Sequence, residues 1–257
     1  MWKWNAATQL DLPETMRGKF RTIAECKPVE GGSRILIAAS SNGAALIERS
    51  TGKVEFYATV FNAHSIELLP ADRVVVASSH APGEQGDRLI VFDLSKPEHE
   101  VTHTKLLWAH GVVWDQQRKL LWALSDMELR GYKLVQWNSV TPALANAATY
   151  ELPEGGGHDL TAVSGTAMLA LSTGHRSWLF DRDRREFSPY PDIGKYARVK
   201  CIDVNPRNHR LVWVQAQGVN WWTDNLEFLN PKKTIRLPGE RIYKARWIPA
   251  VSAGAPR

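Results

Sequence analysis

Ala63-His64-Ser65, followed nine positions after His64 by Arg73-Val74-Val75-Val76-Ala77, is the unit on which the fold turns. The same frame recurs. Ala24-Glu25-Cys26 precedes Arg34-Ile35-Leu36-Ile37-Ala38, and Ala109-His110-Gly111 precedes Lys119-Leu120-Leu121-Trp122-Ala123, at the same distance. Gly157-His158-Asp159, Val199-Lys200-Cys201 and Tyr243-Lys244-Ala245 open three further copies. The central residues Glu25, His64, His110, His158, Lys200 and Lys244 are therefore separated by 39, 46, 48, 42 and 44 residues. A period of that length fits a propeller in which each repeat is one four-stranded blade.

The interior of each repeat favours strands over a helical solenoid. Arg34 to Ala38, Ala44 to Glu48 and Val54 to Val60 are short apolar or β-branched runs separated by Ser41-Asn42-Gly43 and Ser50-Thr51-Gly52-Lys53. Leu89 to Asp93, Ser177 to Asp181 and Asn220 to Asp224 read as matching third strands, each with an aromatic residue close before Asp. No stretch keeps an apolar 3.6-residue period long enough for a substantial helix.

Six openings predict an all-β, six-bladed propeller. The sixth copy holds only Tyr243 to Trp247 before a Pro249-containing tail, so its blade is expected to be incomplete and closed by an N-terminal strand at Trp2-Lys3-Trp4. A start site placed too late, or five full blades plus a clasp, are the alternatives. The domain is expected to span residues 1–249, with 250–257 as a flexible tail.

Composition agrees with one folded unit. A chain of 257 residues with 44% hydrophobic content can bury a large core as a single all-β domain. It opens on no signal-like segment and carries no run long enough to span a bilayer, so a cytoplasmic location and no membrane partner are expected. Cys26 and Cys201 are read as buried reduced thiols, on blades that a six-membered ring would not place side by side. The net charge of +5 would suit an anionic partner. It forms no block, since the densest run, Asp181 to Glu186, alternates in sign, and nucleic-acid binding is not expected.

Glu25-Cys26-Lys27-Pro28, Asn62 to Pro70, Ala109 to Asp115, Gly157 to Leu160 and Trp221-Trp222-Thr223-Asp224 carry a resemblance that extends over nearly the whole chain. It resembles an uncharacterised bacterial family of six-bladed, WD-repeat-like β-propeller proteins of unknown function. The resemblance implies the fold and brings no activity, so chemistry rests on the residues.

In a propeller each innermost strand starts at one mouth of the central channel, beside the loop joining the second and third strands. Glu25, His64, His110, His158, Lys200 and Lys244 are thus expected to ring that mouth. Packed sheets lie ~10 Å apart, close enough for imidazoles on adjacent blades to share an ion. His64, His110 and His158, with Glu25 as fourth ligand, supply the donor types of an open zinc, manganese or iron site. His110, His158, Lys200 and Lys244 are the candidate catalytic groups. Glu25, His64, His80, His175, Lys200 and Lys244 are the candidate ligand-binding groups, His80 and His175 from loops on the same face. Ser40-Ser41 and Ser78-Ser79 end second strands at the same mouth, placed to bond sugar hydroxyls or simply to turn the chain. Each histidine alone reads as an ordinary hydrogen-bonded residue at a strand start; three in register read as a pocket. Asp159, beside His158, is a candidate to orient it.

The turn glycines Gly43, Gly83 and Gly155-Gly156-Gly157 lie in no strand-to-helix phosphate loop, so no nucleotide cofactor is expected. Two functions follow. One is a metal-dependent lyase, isomerase or hydrolase acting on a small anionic, sugar-derived molecule such as a carbohydrate acid or lactone. The other is a non-catalytic propeller that binds a protein partner or ligand on the same face.

Overall fold

The computed structural model describes residues 2–248. Five four-stranded antiparallel sheets follow one another along the chain, each a meander whose strands pair in sequence order. Blade one holds β1 (Ile23–Val29), β2 (Arg34–Ala39), β3 (Gly43–Glu48) and β4 (Val54–Thr59). Blade two holds β5 (Ala63–Leu69), β6 (Arg73–Ser78), β7 (Arg88–Asp93) and β8 (Glu100–Lys105). Blade three holds β9 (Gly111–Asp115), β10 (Leu120–Leu124), β11 (Glu128–Val135) and β12 (Ala143–Glu151). Blade four holds β13 (Asp159–Ala162), β14 (Met168–Ser172), β15 (Ser177–Asp181) and β16 (Glu186–Pro189). Blade five holds β17 (Val199–Val204), β18 (Leu211–Gln215), β19 (Asn225–Leu229) and β20 (Lys233–Arg236).

The continuous apolar runs of the second strands are explained by stacking, because a blade buries both of its faces. Leu36, Leu46 and Phe56 of blade one meet Ile66, Val74, Ile90 and Phe92 of blade two in one layer. Val75, Val91, Val112, Leu121 and Tyr132 fill the next. Val113, Trp122, Leu160 and Phe180 join blades three and four, and Ala170, Val199, Ile202 and Trp213 join four and five. Each fully buried large side chain contributes about 1.5–3 kcal/mol of hydrophobic stabilisation.

The ring has five blades, not six. Tyr243 to Trp247 forms no strand ladder, and Trp2 to Trp4 is not a strand. The last segment instead runs as extended chain between the innermost strands of blades five and one. Ala245 donates its N–H to Cys201 Sγ (3.2 Å), Trp247 donates to Asp203 Oδ2 (2.6 Å), and Cys26 Sγ approaches the Lys244 carbonyl from the other side (3.9 Å). Ala245 thereby repeats an inter-blade contact in which Val112 N–H meets Ser65 Oγ and Ile202 N–H meets Asp159 Oδ2. The segment occupies the edge of a missing blade without building one, which is why its sequence imitates a sixth opening. Cys26 and Cys201 consequently flank one peptide segment, on blades that are neighbours, and both are free thiols.

The faces that a sixth blade would have covered are sealed separately. On blade one, Leu12, Met16 and Phe20 lie over Ile35, Ile37, Ala45 and Ile47. They come from a segment with one short helix, α1 (Glu14–Arg17), and Trp4 sits edge-on to Phe20 with centroids 5.4 Å apart. On blade five, Trp247 packs against Phe228 (5.9 Å), with the Arg210 guanidinium 4.5 Å from the Phe228 ring centre.

One expected strand also moves. Asn220 to Asp224 is the loop before the third strand, joined to the C-terminal segment through the Thr223–Ile242 bridge, and β19 begins at Asn225. Among the described residues, no helix is long and apolar enough to cross a membrane.

Candidate functional site

Four of the six repeated residues occupy one structural position, a bulge at the start of the innermost strand. Ala63 pairs with Ser78 and Ser65 with Ala77, leaving His64 as the extra residue; Lys200 is extra between Val199 and Cys201 in the same way. His110 and His158 donate their N–H groups to Leu124 and Ser172, which also pair with the residues that follow them. A bulge re-aims the side chain it carries.

Glu25 does not share that position. Ile23 pairs with Ala39 and Glu25 with Ala38, so the bulged residue of blade one is Ala24, and Glu25 aligns with Ser65. The cause is turn length. Four residues, Glu30 to Ser33, join the paired positions Val29 and Arg34, whereas three, Pro70 to Asp72, join Leu69 and Arg73. Equal spacing in sequence therefore hides a shift of one residue, which in a strand reverses the side chain's direction.

That shift places Glu25 in a buried ionic cluster below the mouth. Lys244 Nζ lies 3.3 Å from Glu25 Oε2 and 3.0 Å from Asp159 Oδ1, and Arg246 reaches the same two oxygens at 3.0 and 2.6 Å. Arg246 also donates to the Ile202 carbonyl (3.1 Å), and Ser65 Oγ to Glu25 (3.3 Å). Burial alone would raise the carboxyl pKa values, but Arg246 and Lys244 outweigh it, holding Glu25 at about 2 and Asp159 well below the usual range. Two cations and two anions thus pin the C-terminal segment to blades one and four. Lys244 and Glu25 answer each other here, and Asp159 braces this cluster rather than His158.

Above it, His64, His110 and His158 converge. Ring centroids are 4.4 Å apart for His64 and His110, and 5.1 Å for His110 and His158. His64 Nδ1 bonds the Asn62 carbonyl (2.9 Å) and His110 Nδ1 the Trp108 carbonyl (2.8 Å). A carbonyl can only accept, so both Nδ1 atoms carry the proton and both Nε2 atoms present lone pairs. His158 Nδ1 is buried with no hydrogen-bond partner among the described residues. Burial draws His64 down to about 4, helped by Lys244 and Lys200 against the Asn62 bond. Burial and then Lys200 draw His158 down to about 3, and burial with the two flanking imidazoles takes His110 well below its ordinary value. All three are neutral at pH 7. Among the described residues, no group of three His, Cys, Asp or Glu side chains stands in a metal-holding arrangement.

The imidazoles floor a cavity of about 760 Å³ on this mouth. Trp108, Trp221, Trp222 and Tyr243 line it, Arg21 and Arg241 add positive charge, and Asp126, Ser40 and Ser79 supply further polar atoms. Trp108 and Trp221 remain 47% and 63% exposed, leaving ring surface open to a bound molecule. His80 stacks on Trp108 at 4.8 Å and pairs with Asp87 (3.0 Å), so it supports the wall. His175 is exposed in the loop after β14. Lys200 lies buried with Nζ 4.6 Å from the centre of the Trp221 ring.

The tryptophans and Arg241 were not legible as site residues. Trp221-Trp222 reads as a strand because bulky aromatics suit one, and the signal against it is Asn220 together with Gly218, a turn pair directly before it. Arg241 reaches the mouth only because the C-terminal segment returns to the axis.

The chain belongs to the family described as "Family of unknown function (DUF6528)", which matches residues 1–255. No curated protein matches it in sequence.

Proposed function

Since membership of that family assigns no activity, we propose from the geometry that the mouth cavity binds a small anionic, hydroxyl-bearing ring, of the class of carbohydrate acids and their lactones. The observation that carries this reading is the combination of three neutral imidazoles on the floor with open indole faces on the walls. Nε2 lone pairs on His64 and His110 accept from hydroxyl groups, and the unpartnered Nδ1 of His158 offers a third polar contact. Trp108 and Trp221 offer flat apolar faces to a ring, and Arg21 and Arg241 suit a carboxylate. In a lyase or isomerase reaction here one of these imidazoles would take the proton, each as a weak base, since burial holds all three below the range in which a general base works best. Calorimetric titration with hexuronates, aldonates, their lactones and neutral hexoses tests the reading. Binding of the acids or lactones that is lost in His110→Ala and Trp221→Ala supports it; indifference to the whole panel rejects it.

A metal-dependent form of this reading rests on the same two carbonyl-anchored imidazoles, since an Nδ1–H held by a carbonyl orients Nε2 toward an ion. His64, His110 and His158 would hold the divalent ion, zinc, manganese or iron, with Glu25 kept for the buried cluster. Metal analysis of wild type beside His110→Ala decides it.

A second reading, docking of a protein partner on the mouth face, is favoured by Leu107, Val219 and Met127, which stand 56%, 94% and 48% exposed in loops on that face. Charged substitutions at Leu107 and Val219 would abolish partner binding yet spare small-ligand affinity.

A further inference from the structure

Two lysines are buried beside the channel, and they are held differently. Lys244 Nζ is neutralised by Glu25 and Asp159. Lys200 is 1% exposed, yet among the described residues its amine forms no ion pair or hydrogen bond, and it stands over the face of Trp221 at 4.6 Å from the ring centre. The charged groups that act on it are Arg198 on the approach to its own strand and Lys244 from the C-terminal segment, both positive. Across the mouth, its field reaches His158 of blade four and His64 of blade two, both neutral.

A buried ammonium with cations nearby and no counter-ion sheds its proton. Burial, Arg198 and Lys244 accordingly lower Lys200 to about 7, where a large share of the side chain is free amine at neutral pH. Desolvation beside another cation is a recognised way to make a lysine nucleophilic. The bulge at Lys200 is the one that aims His64 in blade two, so the backbone directs this amine toward the same mouth, where it lies behind Trp221, a residue of the cavity wall.

Resting on the anion-binding part of the cavity reading above, we propose that the Lys200 amine, reached from the cavity past Trp221, is its nucleophile and forms an imine with a small 2-oxo acid, whose carboxylate the mouth arginines hold. In that step the amine nitrogen adds to the carbonyl carbon, and its two protons pass to the former carbonyl oxygen. The oxygen leaves as water, and a C=N bond replaces C=O. No oxidant or reductant is required.

Borohydride trapping tests the proposal on the full chain. Pyruvate with sodium borohydride at pH 7, followed by peptide mapping, is expected to place a reduced adduct on Lys200 at a level at least about tenfold above that of any other lysine, because an ordinary lysine near ~10.4 is almost wholly protonated there. Peptide mapping of wild type needs no variant to fold; Lys200→Arg should then lose that adduct. An adduct confined to other lysines, or none, overturns the proposal. Saturation-transfer NMR with pyruvate separates the two layers. Binding abolished by His110→Ala, with no Lys200 adduct, overturns the amine's role alone. A Lys200 adduct formed equally well by neutral propanal overturns the anionic substrate class and leaves the amine's reactivity.

Discussion

At the scale of single residues, the channel separates groups that hold the protein together from groups left available. Glu25, Asp159, Lys244 and Arg246 satisfy one another in a fully buried set, so removing one member strands the rest. Breaking a buried pair costs about 3–5 kcal/mol. Glu25→Ala should lower Tm by roughly 10 °C at 2–4 °C per kcal/mol for a chain of this size, measured by calorimetry; an unchanged Tm would count against the cluster. Charge state gives a second expectation. His64 and His158 sit at about 4 and about 3, and Glu25 at about 2, all below unfolded values of ~6.5 and ~4.3. The unfolded chain therefore binds more protons as pH falls, and stability declines from about pH 6.5 for the histidines and again below about pH 4.5 for Glu25. Urea midpoints should fall between pH 7 and 5, less steeply in His64→Gln/His158→Gln. Lys200, at about 7 against ~10.4 unfolded, takes the same sign higher up: stability should rise from pH 7 to about pH 8.5, above which the buried thiols Cys26 and Cys201, both raised by burial, oppose it. Lys200→Met should abolish that rise and melt no lower than wild type at pH 7; a lower Tm there would mean the amine is better accommodated than its surroundings indicate.

At the scale of elements, strands were legible because their alternation of apolar runs and turns is local. β2, β3, β4, β7 and β15 fall where the runs predict them, as do the mouth positions of His64, His110 and His158. What was not legible depended on distance or on one residue of turn length. The Glu30 to Ser33 turn moved Glu25 off the mouth, and ring closure made Tyr243 to Trp247 a wedge, because a strand-like pentapeptide looks alike whether or not other strands follow it. The N-terminal segment shows the same point. Trp4, Leu12, Met16 and Phe20 cover blade one as packed side chains, with no strand for a periodicity to announce. Gly43 permits that approach: a Cβ there would stand 2.7 Å from the Lys19 carbonyl oxygen and 2.8 Å from the Phe20 ring. Gly43→Ala should displace the segment and, together with Phe20→Ala at about 3–5 kcal/mol, lower the denaturation midpoint, with dye binding to the uncovered face. A midpoint equal to wild type in both variants would mean that the segment is not what seals blade one.

At the scale of the whole molecule, five blades and a returning C-terminus divide the axis into two levels. The lower is a neutral ionic plug that joins blades one and four to the final segment. The upper is an open cavity floored by imidazoles from three consecutive blades and walled by residues of the closing segment itself, Arg241 and Tyr243. Closure and ligand site are thus one construction, and a ligand that bridges the histidines and Arg241 should raise Tm by stabilising the closed ring. The most direct measurement is a crystal structure of the protein soaked with a hexuronate. The account predicts the sugar in the mouth cavity, its ring against Trp221 or Trp108, its hydroxyls on the Nε2 atoms of His64 and His110, and its carboxylate toward Arg241 or Arg21. A cavity without ligand, or a sugar bound away from the three histidines, would contradict it.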